Sequence, residues 1–167
     1  MFVLTSFFCQ QVIAMSLEHP HVMMPPPALY LGGLLMGYGI DQALTLPAPT
    51  FPGARWVILA LAVIGTALVL AAVIQLRLAR TTLVPHRPAS QLLTRGVFRL
   101  SRNPIYLGFT ALYLAMALNQ HSTGMLIMLV PIVWVIQQHV IAAEEAFHAQ
   151  QFGEQWQAYR QRVRRWL

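Results

Sequence analysis

Apolar residues in this chain run in long stretches, separated by short polar, proline-bearing or glycine-bearing breaks. The clearest stretch is Trp56 to Leu78, 23 residues without a charge until Arg77. Ala28 to Leu46 is a second, interrupted only by Asp41 near its end. Ile105 to Leu118 is shorter, and Met125 to Ile141 is longer and contains Pro131. Between those two, the polar run from Asn119 to Gly124 reads as a tight turn that makes them a hairpin. A hydrocarbon core about 30 Å thick takes roughly 20 residues of helix to cross. Unpaired backbone groups are costly in lipid, so crossing segments fold as helices. The pattern predicts an all-α, polytopic integral membrane protein with four transmembrane helices.

Composition supports lipid as the solvent. Hydrophobic residues make up 57% of the chain and charged residues 10%, against roughly a quarter charged in soluble domains. The net charge is +6, and all eleven basic residues are arginine. They sit beside the apolar stretches rather than along a soluble face, which excludes nucleic acid as the partner and points to anionic headgroups. The single Cys9 excludes an internal disulfide and a cysteine metal cluster.

Arginine placement also orients the spans. Arg77, Arg80, Arg87, Arg95, Arg99 and Arg102 lie between the second and third stretches, and Arg160, Arg162, Arg164 and Arg165 lie in the tail. The other two connections hold only Arg55. The positive-inside rule then makes the central loop and both termini cytoplasmic. Gly33 and Gly37, with Gly32 and Gly39 nearby, predict close helix packing on the first span. Asp41, beside Gln42 at the outer interface, reads as reaching water rather than pairing inside the membrane.

Residues 1–27 form a separate N-terminal segment. Met1 to Leu17 is apolar but lacks a positive flank and a small-residue cleavage site, so it does not read as a signal peptide. It reads as an interfacial helix or as a start upstream of an initiator at Met15, with residues 1–14 dispensable. Pro25-Pro26-Pro27 then breaks the chain before the first span.

Two polar signatures flank the hairpin on the cytoplasmic side. The first ends the run from Gly96 to Ser101 in Arg102-Asn103-Pro104-Ile105-Tyr106. Pro104 suits the first turn of a helix, with Ser101 or Asn103 as its cap. That leaves backbone donors beside Arg102, an arrangement fitted to a carboxylate ligand. The second signature is Glu144-Glu145, two of only five acidic residues. Adjacent helical residues diverge by about 100°, so one of the pair at most points at a given ligand. A carboxylate there can accept both hydroxyls of a ribose and favours a nearby cation. A metal site is not expected: Glu144 and His148 share a helix face, but His139 falls off it, and no H-x-x-x-H or H-E-x-x-H occurs.

From about Thr81 onward these pieces follow one order: L-L-T-x-G-V-F, R-N-P-I-Y-L-G, E-E, and F-G-x-x-W-x-x-Y-x-x-R-V. In that order and spacing the chain resembles the isoprenylcysteine carboxyl methyltransferase and phospholipid methyltransferase superfamily, especially its small bacterial members. The resemblance implies a bacterial inner-membrane methyltransferase with a cytosol-facing pocket for S-adenosylmethionine. Residues 28–167 would be the membrane domain, with 81–167 its cofactor-binding part. Cofactor contacts map onto Ser90, Gln91, Leu92, Leu93, Phe98, Asn103 and Glu144, with Arg102, Tyr106 and Glu145 in the same signatures.

Three residues depart from the family's pattern, and one of them, Val140, falls on the substrate side. Asn103 stands for the histidine of the R-H-P form, Trp156 for a tyrosine, and Val140 for an arginine that the prenylcysteine enzymes associate with substrate. His139 and Arg162 are candidates for orienting or deprotonating the acceptor, which would be a lipid or another apolar small molecule entering from the membrane. Two alternatives stay open: a reductase related to the much longer sterol reductases, and a non-catalytic lipid-binding or assembly protein.

Overall fold

The computed structural model describes residues 25–79 and 91–167. The apolar N-terminal segment with Cys9, the loop arginines Arg80 and Arg87, and Ser90 lie outside the described residues. Five α-helices follow: α1 Pro26–Leu44, α2 Ala54–Leu78, α3 Pro104–Asn119, α4 Thr123–Val135 and α5 Ala142–Arg162. A 3-10 turn, Gly96–Arg99, precedes α3, and a π-helical turn, Ile136–Ile141, joins α4 to α5 without a break. No strand occurs among the described residues. The four apolar stretches are thus helices, with ends close to those the sequence predicts. Among the described residues, two helices are long and apolar enough to cross a membrane, α2 and the continuous helix that starts at Thr123. The 16 residues of α3 are apolar but shorter.

The α3–α4 hairpin is the centre, with α2 packed along α3 and α1 along α4. Glycines set both contacts. A Cβ on Gly65 would lie 2.9 Å from the Gly108 carbonyl oxygen, and one on Gly37 would lie 2.5 Å from the Met125 Cα. Backbone meets backbone there, as small residues permit between apolar helices. Gly33 and Gly37 therefore do pack closely as expected, against α4, whereas Gly32 and Gly39 face open space. The buried core runs through Tyr30, Tyr113, Ala117, Ile136, Val140 and Ile141. Leu31, Leu35, Trp56, Val63, Ile64 and Leu70 are exposed on the outside, an apolar exterior suited to lipid.

At one end of the bundle Asp41 departs from the expectation that it reaches water. Its Oδ1 accepts from the Gly124 N–H at 2.7 Å, and its Oδ2 accepts from the Ser122 hydroxyl. Ser122 Oγ in turn accepts from the Met125 N–H at 3.0 Å, so the pair caps α4. The helix N-terminus supplies donors and positive dipole to the carboxylate, which lowers the cost of placing it there. The opposite end gathers the start of α1, the end of α2, the start of α3 and the start of α5. Both polar signatures fall there.

Candidate active site

Pro104 occupies the first turn of α3, and the Leu107 N–H donates to the Asn103 carbonyl at 3.0 Å. Neither Ser101 nor Asn103 gives α3 the side-chain cap that the sequence suggests. Both side chains turn instead to the C-terminal tail. Ser101 Oγ and Asn103 Nδ2 each donate to the Arg165 carbonyl at 3.0 Å, and the Arg102 N–H donates to the Arg164 carbonyl at 3.0 Å. A missing side-chain partner costs less at this helix start, because the proline at N1 removes one donor that would need it.

The turn holds the Arg102 side chain inward, 8% exposed, with Nη2 at 3.2 Å from Glu145 Oε1. Its guanidinium lies over the Trp156 ring, 5.6 Å from the centroid. Nε and Nη1 are buried with no hydrogen-bond partner. Burial lowers the affinity of Arg102 for its proton, and the Glu145 charge opposes that shift. An unpaired buried donor costs about 1–3 kcal/mol, so two on one cation mark a place where a ligand acceptor belongs.

The two glutamates diverge as helix geometry requires. Glu144 Oε1 accepts from the Tyr106 hydroxyl at 2.6 Å. Glu145 is gripped from outside by Arg165, whose Nε and Nη2 reach its two oxygens at 3.1 and 2.6 Å. Burial pushes the Glu144 carboxyl up to about 7; donation from Tyr106 opposes this, and the Glu145 charge adds to it. Glu144 therefore ionises near neutral pH, whereas an ordinary glutamate is fully charged there.

A kink carries the far part of α5 back over this cluster. Gly153 has φ 49° and ψ −119°, a conformation open essentially to glycine alone. Beyond it Trp156 and Tyr159 are buried, and the Tyr159 hydroxyl donates to the Phe98 carbonyl at 2.7 Å, pinning the 3-10 turn. His148 meets Phe152 and Trp156 in tilted ring contacts, 5.8 and 5.2 Å from their centroids. Its Nδ1 is buried without a partner, and burial favours the neutral ring, against the pull of Glu145.

The structure thus brings Arg102, Tyr106, Glu144 and Glu145 into one largely buried cluster, with Asn103 and Phe98 in its supporting turns. Leu92 and Leu93 are half-buried, and Gln91 is exposed. His139 and Arg162 stand apart from the cluster. His139 is exposed with its ring edge against Trp134, and the exposed Arg162 turns its Nε to the Ala158 carbonyl of its own helix. Val140 is buried in the core. Arg165 belongs to the cluster although sequence reasoning did not single it out, and Ser101, expected only as a helix cap, supports it through the Arg165 carbonyl. In the sequence Arg165 is one of four tail arginines, and no spacing ties it to Glu145.

An all-helical membrane protein with a buried arginine–carboxylate cluster at one end of its bundle is the class these features define. A family model described as phospholipid methyltransferase matches residues 54–155. The match covers more than half of the chain, and the chain belongs to that family, which bears out the resemblance read from the motifs. No curated protein and no solved structure matches it. The matched segment begins at the first residue of α2 and ends two residues past Gly153. Trp156 and Arg165 lie beyond it.

Proposed function

We propose that this membrane methyltransferase takes its methyl group from S-adenosylmethionine and delivers it to a lipid or another membrane-partitioned small molecule. The observation that carries the reading is a buried arginine side chain with two unpartnered donors, set beside the adjacent carboxyls of Glu144 and Glu145. The cofactor presents a carboxylate, an ammonium, a sulfonium and a ribose diol. The unpaired donors of Arg102 suit the first of these. Glu144 suits a cation or the diol. Ser90, Gln91, Leu92, Leu93, Phe98 and Asn103 would complete the pocket, with Glu145 and Tyr106 holding Arg102 and Glu144 in place.

When bound, the cofactor supplies a methyl group already activated on sulfur, so the protein's task is mainly positioning and exclusion of water. Arg102 fixes one end of the ligand, Glu144 balances positive charge, and the ring of Trp156 covers the Arg102 guanidinium. His139 and Arg162, on the exposed surface, would meet an acceptor arriving from the membrane and orient it or take its proton. In this reading α1, α2, α3 and α4 with the π turn are four spans, and the arginine-rich end faces the cytoplasm of a bacterial cell.

The test is calorimetric titration of the purified full chain with S-adenosylhomocysteine and with NADPH, alongside transfer of labelled methyl groups into a lipid extract. Binding of the first ligand and label in the lipid fraction are expected. Binding of NADPH alone would replace the reading with a reductase. Glu144→Ala should weaken S-adenosylhomocysteine binding by roughly 1.5–3 kcal/mol, the range for hydrogen bonds to charged groups.

A further inference from the structure

Two guanidinium groups share one carboxylate in this cluster, and they share it unequally. Arg165 takes Glu145 at two points, Nε to Oε1 at 3.1 Å and Nη2 to Oε2 at 2.6 Å. Arg102 holds the same carboxylate only through Nη2, at the longer 3.2 Å. The fork-to-fork geometry is the stronger one and can be made by one arginine at a time on a given edge of the carboxylate. Arg165 has it because its backbone is clamped. Its carbonyl accepts from Ser101 and Asn103, the carbonyl before it accepts from the Arg102 N–H, and Trp166 after it donates to Gln137 Oε1 at 2.9 Å. The turn that carries Arg102 thus fixes the residue that competes with Arg102 for Glu145.

Arg102 is left with one positive charge only partly compensated and with two buried donors, Nε and Nη1, that have no partner. Its side chain is more than nine-tenths buried, so bulk water does not meet that need. We propose that Arg165 is a positioning residue: by engaging Glu145 at two points it keeps Nε and Nη1 of Arg102 available for an anionic group of a ligand, a carboxylate or a phosphate. The α-carboxylate of the cofactor and the phosphate of a lipid headgroup share that chemistry. The inference rests on the proposed methyltransferase reading only for which of the two is bound. Without Arg165, Glu145 would swing into a two-point pair with Arg102, through Nη2 and either Nε or Nη1, and take one of the two donors the ligand needs.

The experiment uses the full chain in detergent, as wild type, Arg165→Ala, Arg165→Lys, and the double variant Arg165→Ala with Glu145→Gln. The probes are S-adenosylhomocysteine, 5′-methylthioadenosine, which lacks the amino-acid part, and a short-chain phosphatidic acid. If the anion is the cofactor's carboxylate, Arg165→Ala weakens S-adenosylhomocysteine about tenfold or more and leaves 5′-methylthioadenosine unchanged. Arg165→Lys, which keeps the charge but not the fork, falls between. The double variant recovers most of the loss, because a neutral amide does not capture Arg102; a merely structural role for Arg165 gives no such recovery. The same loss and recovery seen with phosphatidic acid instead assigns the anion to a lipid phosphate. Unchanged affinity for both anionic probes in Arg165→Ala and Arg165→Lys, or a double variant no better than Arg165→Ala, overturns the proposal. Wild type that fails to bind S-adenosylhomocysteine overturns the cofactor reading, and the phosphatidic acid series then decides the role of Arg165.

Discussion

The Tyr106 hydroxyl donates to Glu144 Oε1 at 2.6 Å, tying the first turn of α3 to the first turn of α5 across 38 residues of sequence. Tyr106 lies four residues after Arg102, whose partner is the neighbouring glutamate. One short stretch of α3 and its lead-in thus addresses both acids, each by a different donor. The hydrogen bond orients the Glu144 carboxyl without supplying a charge to balance it, so burial keeps its proton affinity high.

A pH dependence follows, and its sign is set by that shift. Glu144 is neutral below about 7 and a carboxylate above it. If the ionised form binds the cationic cofactor, affinity rises with pH, by about tenfold between roughly pH 6 and pH 8, as the competent fraction grows. Glu144→Gln should flatten the profile. The same raised value means that the folded chain is destabilised as pH climbs from the ordinary glutamate range through about 7. Glu144→Gln should therefore raise the melting temperature on the alkaline side and not on the acid side.

The α1–α4 contact predicts opposite outcomes for two glycines on one helix. Gly37→Ala would force a methyl group against the Met125 backbone, whereas Gly39→Ala meets nothing within 4 Å. The first should cost about 1–3 kcal/mol through overpacking, and the second should be neutral or slightly stabilising, since alanine favours helix. Unfolding in mixed detergent compares them directly.

Gly153→Ala isolates the kink. No atom lies within 4 Å of the added Cβ, so the cost comes from the backbone conformation alone, about 1–3 kcal/mol for a strained residue. A helix that straightens instead would draw Trp156 from Arg102 and Tyr159 from Phe98. Expected results are a lowered melting temperature and weaker S-adenosylhomocysteine binding; a variant with both unchanged would detach the kink from the site.

Asp41→Ala removes the acceptor for the Gly124 N–H and the Ser122 hydroxyl. A loss of about 0.5–2 kcal/mol is expected, the usual range for a helix cap. Cofactor affinity should be unchanged, because the cap sits at the opposite end from Arg102 and Glu144.

Cysteines at Thr50 and Gln91 test the orientation in a Cys9→Ser background. Both positions are exposed, Thr50 before α2 and Gln91 after it in the chain. The arginine asymmetry predicts labelling of Thr50→Cys alone by an impermeant reagent applied outside the cell. Labelling of both from outside would place the cluster on the wrong side for a cytoplasmic cofactor.

The helices were legible in the sequence because each depends on local information: apolar length, a proline at the first turn, a polar turn between runs. The divergence of Glu144 and Glu145 was legible for the same reason, since helix pitch fixes it. Other features depend on what lies across the fold, where no local pattern reaches. Asp41 became a helix cap because packing along Gly37 brought it to the start of α4. Ser101 and Asn103 gave up capping because the tail offered its carbonyls to them. His139, five residues after Trp134 and in contact with its ring, lies on the exterior, while the neighbouring Val140 is buried. Arg165 reached Glu145 only after Gly153 turned the chain back. Solvent preference and helix periodicity act residue by residue, so the apolar helices, the arginine-rich end and the residue types gathered there could be read from the chain alone. Tertiary structure alone decided which arginine pairs with which glutamate and which donors are left over, because partner choice among like groups depends on distance and backbone anchoring.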